Sequence, residues 1–262
     1  MLGKLIKYDL KANRNLFLLM YGILLASALG TRVVISDVVQ ELEGYSNVGL
    51  VAAFLMMSYM VALVTVSTMG YVLVIRRFYH NLFGSEGYLS FTLPVTAAQH
   101  FIAKTLSGLI WLFGSMMVQI ISLLILFSGV FSRDMFGENM DMLIELYEPM
   151  INGQDLILQL VLAILNSVVS LMMIYFAVCL GQMARRRRIL TAVICYFGMS
   201  FIFSMIEGVV TEAFITMDIY ALESLIHYDV GYYLMNVLLV VLKMIIFGGG
   251  SILIMQKKLN LE

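Results

Sequence analysis

Apolar positions in this chain do not alternate with polar ones at the period of a strand. They gather into long runs broken by short charged stretches. Six such runs are long enough to cross a bilayer: residues 16–35, 48–75, 104–131, 156–181, 189–206 and 230–255. A run of about 18 or more apolar residues spans the hydrocarbon core as a helix, because in lipid the backbone must satisfy its own hydrogen bonds. The two prolines, Pro94 and Pro149, fall outside the runs, which agrees with unbroken helices. The run 48–75 is long enough to tilt or to extend beyond the bilayer.

The first fourteen residues follow a different pattern. Leu2, Leu5, Ile6 and Leu10 share one helical face, and Lys4, Lys7 and Lys11 share another. That pattern predicts a short helix, 1–14, lying in the membrane interface. A Lys-rich start, an apolar run and then Ala26-Ser27-Ala28 also resemble a signal peptide with its cleavage site. The long amphipathic lead, and the apolar stretch continuing past Leu29, favour retention of the segment.

Charge orients the spans. Lys4, Lys7, Lys11 and Arg14 precede the first. Arg76, Arg77 and Lys104 flank the connection from the second to the third. Arg185, Arg186, Arg187 and Arg188 follow the fourth, and Lys257 and Lys258 follow the sixth. The other three connections hold a single basic residue, Arg133, among many acids. Basic residues stay on the cytoplasmic side, so both termini are expected inside. The net charge of −1 conceals this separation. The arginine run reads as a topology signal at an anionic inner leaflet rather than a nucleic-acid site.

Composition sharpens this picture. Charged residues make up 13% of the 262 and apolar ones 61%, against about 25% and 45–50% in soluble domains. Little chain is left for a soluble catalytic domain, so residues 1–262 read as one all-α integral membrane domain. Cys179 and Cys195 lie in apolar runs and read as small buried hydrophobes, not a disulfide framework. A phosphate-binding loop is missing: Lys104-Thr105 has Ala98 and Ala103 where glycines are needed. His80, His100 and His227 lack metal-ligand spacing, and no nucleophile elbow is present.

Polar residues at membrane depth are the remaining candidates. Lys243 lies near the middle of the sixth run, and Arg32 and Glu207 lie near the outer ends of the first and fifth. An intramembrane charge implies function or a partner. Glu207 could pair with Lys243 if the chain after the fifth run dips back into the membrane. Ser115, Gln119 and Ser122 share one helical face, as do Asn166 and Ser170. They would line a substrate path or hydrogen-bond between helices. The 21 methionines suit either flexible packing or an adaptable apolar surface. Gly248-Gly249-Gly250 reads as close packing or a bend.

The connection 76–96 is basic yet rich in aromatic and aliphatic residues. Such groups need a partner surface, the lipid interface or the bundle's own inner face. Thr96 and Gln99 form a capping-box pattern that opens the third span. Glu86-Gly87-Tyr88-Leu89, then Thr92-Leu93-Pro94-Val95, then Gln99 and Lys104 resemble the cytoplasmic loop of permease subunits of ATP-binding-cassette exporters. The likeness is to the small six-span bacterial group of the second exporter type. The opening Met1-Leu2-Gly3-Lys4 and the closing Lys257-Lys258-Leu259-Asn260 are similar to that group as well.

The resemblance implies six spans, an interfacial first helix and a coupling loop between spans two and three. Its contacts would come from Gly84, Glu86, Gly87, Tyr88, Leu89, Phe91, Leu93 and Pro94. It implies a dimer with a second permease chain, the same or related, in the bacterial cell membrane. ATP and its magnesium would sit on a separate ATPase subunit, so this chain would be no enzyme and hold no cofactor. Short external helices before the last span would occupy 207–229. A membrane scaffold or sensor recruiting a cytoplasmic partner is the competing reading, and a secondary transporter is a third.

The charge pattern makes a topology prediction. Cysteines placed at Asn47, Asn139 and Tyr220 should react with an impermeant thiol reagent in intact cells. One at Lys258 should react only after the membrane is opened. Labelling of Lys258 from outside would reverse the assignment.

Overall fold

A computed structural model describes residues 2–40, 46–84, 95–130, 153–184, 186–220 and 228–257. All six apolar runs are helical: α1 (Leu2–Gln40), α2 (Ser46–Phe83), α3 (Ala97–Val130), α4 (Gly153–Gln182), α5 (Arg188–Tyr220) and α6 (Tyr228–Met244). The sixth continues through a π-helical turn, Ile245–Gly249, into α7 (Gly250–Lys257). Among the described residues there is no strand. Among the described residues, six helices are long and apolar enough to cross a membrane.

Their outward faces fit lipid. On α5, Leu190, Ile194, Phe197, Phe201, Met205 and Val209 recur every three or four residues and are all exposed. In water such a stripe would be strongly unfavourable, whereas lipid tails cover it without cost.

The helices outrun the predicted spans. The segment 2–14, expected as a separate interfacial helix, continues without a break into the first span as one helix of 39 residues. The connection expected from Arg76 begins later, because α2 stays helical to Phe83. Thr96 and Gln99 make the reciprocal capping box. The Gln99 amide donates to Thr96 Oγ1 at 3.3 Å, and the Thr96 amide donates to Gln99 Oε1 at 3.1 Å. These bonds satisfy end groups that a helix start leaves orphaned.

The chain divides into two compact units. One holds Gly3–Arg76 and Leu106–Ile151. Its polar side chains link helices. Tyr21 Oη donates to the Trp111 carbonyl at 3.1 Å and hydrogen-bonds Ser115 Oγ at 2.9 Å. Tyr59 and Ser122 share a buried bond of 3.0 Å. The ring of Phe17 stacks on Trp111 at 4.4 Å.

The other unit holds Arg77–Thr105 and Asn152–Glu262. Phe78 stacks on Tyr175 at 3.9 Å, with Phe101 edge-on to both, and all three rings are buried. The Tyr175 hydroxyl donates to the Lys104 carbonyl at 3.3 Å. A second core gathers Val169, Val240 and Phe247 with Met172, Met199 and Met244 around them. Here the methionines are packing. The glycine triplet is a site of helix distortion and close approach: the π turn contains Gly248 and Gly249. A Cβ on Gly250 would stand 2.5 Å from the Phe176 ring.

The hairpin from α4 to α5 is tight. Met183 and Ala184 donate amides back to Leu180 and Gly181, and Arg187 adopts the left-handed region at φ 53°. A Cβ on Gly181 would lie 2.6 Å from the Arg188 carbonyl oxygen and 2.7 Å from Ala192 Cβ. Both atoms belong to the start of α5, which packs against Gly181 too closely to leave room for it. Gly181→Ala should therefore cost about 1–3 kcal/mol and lower the thermal midpoint of the purified protein in detergent. An unchanged midpoint would mean the hairpin opens freely.

Candidate functional site: a charged cavity among α4, α5 and the last helix

Residues on three helices converge in the second unit. Asn166 and Ser170 are one turn apart on α4. Ser200, Ser204 and Glu207 fall on one face of α5 at spacings of four and three. Lys243 lies in the last turn of α6, and Phe247 stands in the π turn beyond it. Together with Val169, Met173 and Phe203 they line a cavity of about 140 Å³.

At its head the Lys243 ammonium donates to Glu207 Oε1 in a salt bridge. The side chain of Lys243 is 10% exposed and that of Glu207 40%, so the acid is the reachable member. Burying an ammonium alone is costly, and the paired carboxylate offsets that cost. The pairing needs no re-entrant segment. Glu207 was expected beyond the fifth span, but α5 runs straight through it to Tyr220. For the same reason residues 207–220 are part of α5 rather than short separate helices, and 221–227 lie outside the described residues.

The cavity lies away from the α4–α5 hairpin. At 1.5 Å per residue, Ser170 lies about 18 Å from the end of α4 at Gln182, and Glu207 about 28 Å from the start of α5 at Arg188. Measured from that hairpin, Ser170 would stand past the middle of a hydrocarbon core of about 30 Å and Glu207 near its far edge.

The other predicted residues stand elsewhere. Ser115 bonds Tyr21, and Gln119 Nε2 donates to Ser67 Oγ at 2.9 Å; both are links within the first unit. Arg32 is exposed on α1, also in the first unit. Gly84 follows the end of α2, its amide donating to the His80 carbonyl at 3.2 Å. Glu86, Gly87, Tyr88, Leu89, Phe91, Leu93 and Pro94 lie outside the described residues. Ser200, Ser204 and Phe247 were not singled out from sequence. The signal existed for the serines, which stand seven and three residues before Glu207, but it is legible only once the helix is known to continue past 206.

Among the described residues, no group of three or more His, Cys, Asp or Glu side chains could hold a metal ion. The arrangement presents one cation, one carboxylate and the four polar side chains of Asn166, Ser170, Ser200 and Ser204 to a small polar group. No protein-family model, characterised protein or solved structure matches the chain.

The pair should behave as one unit. Lys243→Met alone leaves the Glu207 carboxylate without its cation, and Glu207→Gln alone leaves the Lys243 ammonium without its anion. Combined, they leave neither charge. Thermal midpoints of the four combinations should show a coupling of about 1–3 kcal/mol, the double variant being more stable than the singles predict. Additive losses would mean that the two charges do not interact.

Proposed function

We propose that the chain is the membrane permease subunit of an ATP-driven exporter of the ATP-binding-cassette class. It works in the bacterial cell membrane with both termini cytoplasmic, beside a second permease chain and separate ATPase subunits that carry ATP and magnesium. The observation that carries the reading is the loop 84–94. Its Glu86-Gly87-Tyr88-Leu89 and Thr92-Leu93-Pro94 are the segment that resembles a coupling loop, in a connection that charge assigns to the cytoplasm.

The flanking helices support it. At 38 residues α2 is about 57 Å long, well beyond the roughly 30 Å of hydrocarbon, and α3 at 34 residues is about 51 Å. Near the loop, Phe78 of α2 and Phe101 of α3 are locked together with Tyr175. Helix ends joined by these rings next to the connection can pass a push into the membrane instead of absorbing it. The apolar Tyr88, Leu89, Phe91 and Leu93 then serve as anchors in a groove on the ATPase, and Glu86 orients the contact at its rim.

Tyr88→Ala with Leu89→Ala should leave insertion and folding intact. Each lost anchor is worth about 2 kcal/mol, so affinity for the ATPase should fall about thirtyfold for either change alone and by roughly several hundredfold for both, and co-purification should weaken accordingly. Retained assembly with abolished transport would make the loop a transmitter of motion without affinity. Assembly and transport both unchanged would sink the exporter reading in favour of a membrane scaffold.

A further inference from the structure

Hydroxyls in the apolar helices of this protein usually satisfy themselves. Thr65, Ser67 and Ser167 each donate to the carbonyl four residues back, at 2.7, 3.0 and 2.8 Å. The cavity breaks that habit. Among the described residues, the side chains of Asn166, Ser170, Ser200 and Ser204 make no hydrogen bond, although all four line one cavity with the Lys243–Glu207 pair. Polar groups within an apolar membrane span need partners. An ion pair that only fastened helices would need no such lining.

The pair's chemistry defines what could fill the cavity. Glu207 has a second carboxylate oxygen, and Lys243 carries three N–H donors, of which Glu207 takes one. The pair as a whole is neutral. A guest of net charge would leave an uncompensated charge in the membrane, whereas a guest with both charges would not. About 140 Å³ accommodates a small head group rather than a large solute. Asn166, Ser170 and Ser204 are exposed, so the cavity opens at the surface of its unit. The π turn begins two residues after Lys243 and puts fully buried Phe247 in the wall. Such turns interrupt the ordinary repeat and recur at functional sites.

We infer that this cavity binds a zwitterionic phosphoethanolamine-type group, its ammonium on Glu207 and its phosphate on Lys243, with Asn166 and the serines supplying the remaining hydrogen bonds. Two sources carry this chemistry: the head group of a membrane phospholipid and a soluble phosphoethanolamine ester. The inference concerns the cavity alone and stands whether or not an ATPase docks at 84–94.

The full chain purified in detergent tests it. Phosphatidylethanolamine or phosphatidylglycerol is added, and retention is read by native mass spectrometry with thermal midpoints in parallel. Wild type should retain the zwitterionic lipid about tenfold over the anionic one, or show a raised midpoint with glycerophosphoethanolamine. A response to the lipid alone identifies the membrane as the source, and an equal response to the ester identifies a soluble ligand. The combination Lys243→Met with Glu207→Gln should abolish the preference. Ser204→Leu, which fills the cavity and keeps the pair, should do the same and decides the matter if the charge variant does not fold. A preference surviving both changes, no response to either zwitterion, or an equal shift with inorganic phosphate or ethanolamine alone would overturn the inference.

Discussion

Lipid offers no hydrogen bonds, and the rest of the structure follows from that. Every backbone amide in an apolar run must find its carbonyl within the run, so the runs are helices. Side chains obey the same demand. Tyr21 and Tyr59 are large enough to fill space and carry a hydroxyl that must be matched, and Ser115 and Ser122 match them. Lys243 is the extreme case, because a buried ammonium in an apolar helix cannot be left alone, and Glu207 answers it. With no hydrophobic drive between helices in a bilayer, these polar matches and the close packing at Gly181 and Gly250 specify which helices meet and in what register.

The same constraint explains what could be read from the residues alone. Six spans were legible because a bilayer imposes a minimum apolar length, and the start of α3 was legible because Thr96 and Gln99 carry a capping pattern with a definite geometry. Helix ends were not. In a sequence a charged residue reads as an exit from the membrane, so Arg76 suggested a loop and Glu207 an outer edge. Helices do not stop at charges. They stop where capping, proline or glycine favours it; Arg76 has no such signal beside it, and Gly208, next to Glu207, keeps ordinary helical geometry inside α5. Once α2 continues past Arg76, Phe78 becomes a core residue stacked on Tyr175 instead of an exposed aromatic. Once α5 continues past 206, Glu207 joins the face that carries Ser200 and Ser204.

Polar residues on a single helical face were also ambiguous in the sequence, for a physical reason. Ser115 with Gln119 and Asn166 with Ser170 have the same spacing and similar chemistry. The first two are consumed by partners on neighbouring helices, and the second two line the cavity. Periodicity reports which residues share a face, but not whether the opposing helix offers a hydroxyl or a void. That depends on side chains far away in sequence, such as Tyr21, 94 residues from Ser115.

Helix α4 brings two features of the second unit into one rigid element. Asn166 and Ser170 line the cavity, and Tyr175, five residues on, is clamped between the ends of α2 and α3 by Phe78, Phe101 and the Lys104 carbonyl. Five residues of helix are about 7.5 Å, and a helix transmits displacement along its axis with little loss over that distance. Under the exporter reading, a push on the loop between α2 and α3 reaches Tyr175 first and the cavity one to two turns later. The opposite wall is different. There the Lys243 helix passes through the π turn and the glycines, where the regular hydrogen-bond ladder is interrupted. A regular helix on one side of the cavity thus faces an irregular one on the other, and Lys243 stands just before the irregularity.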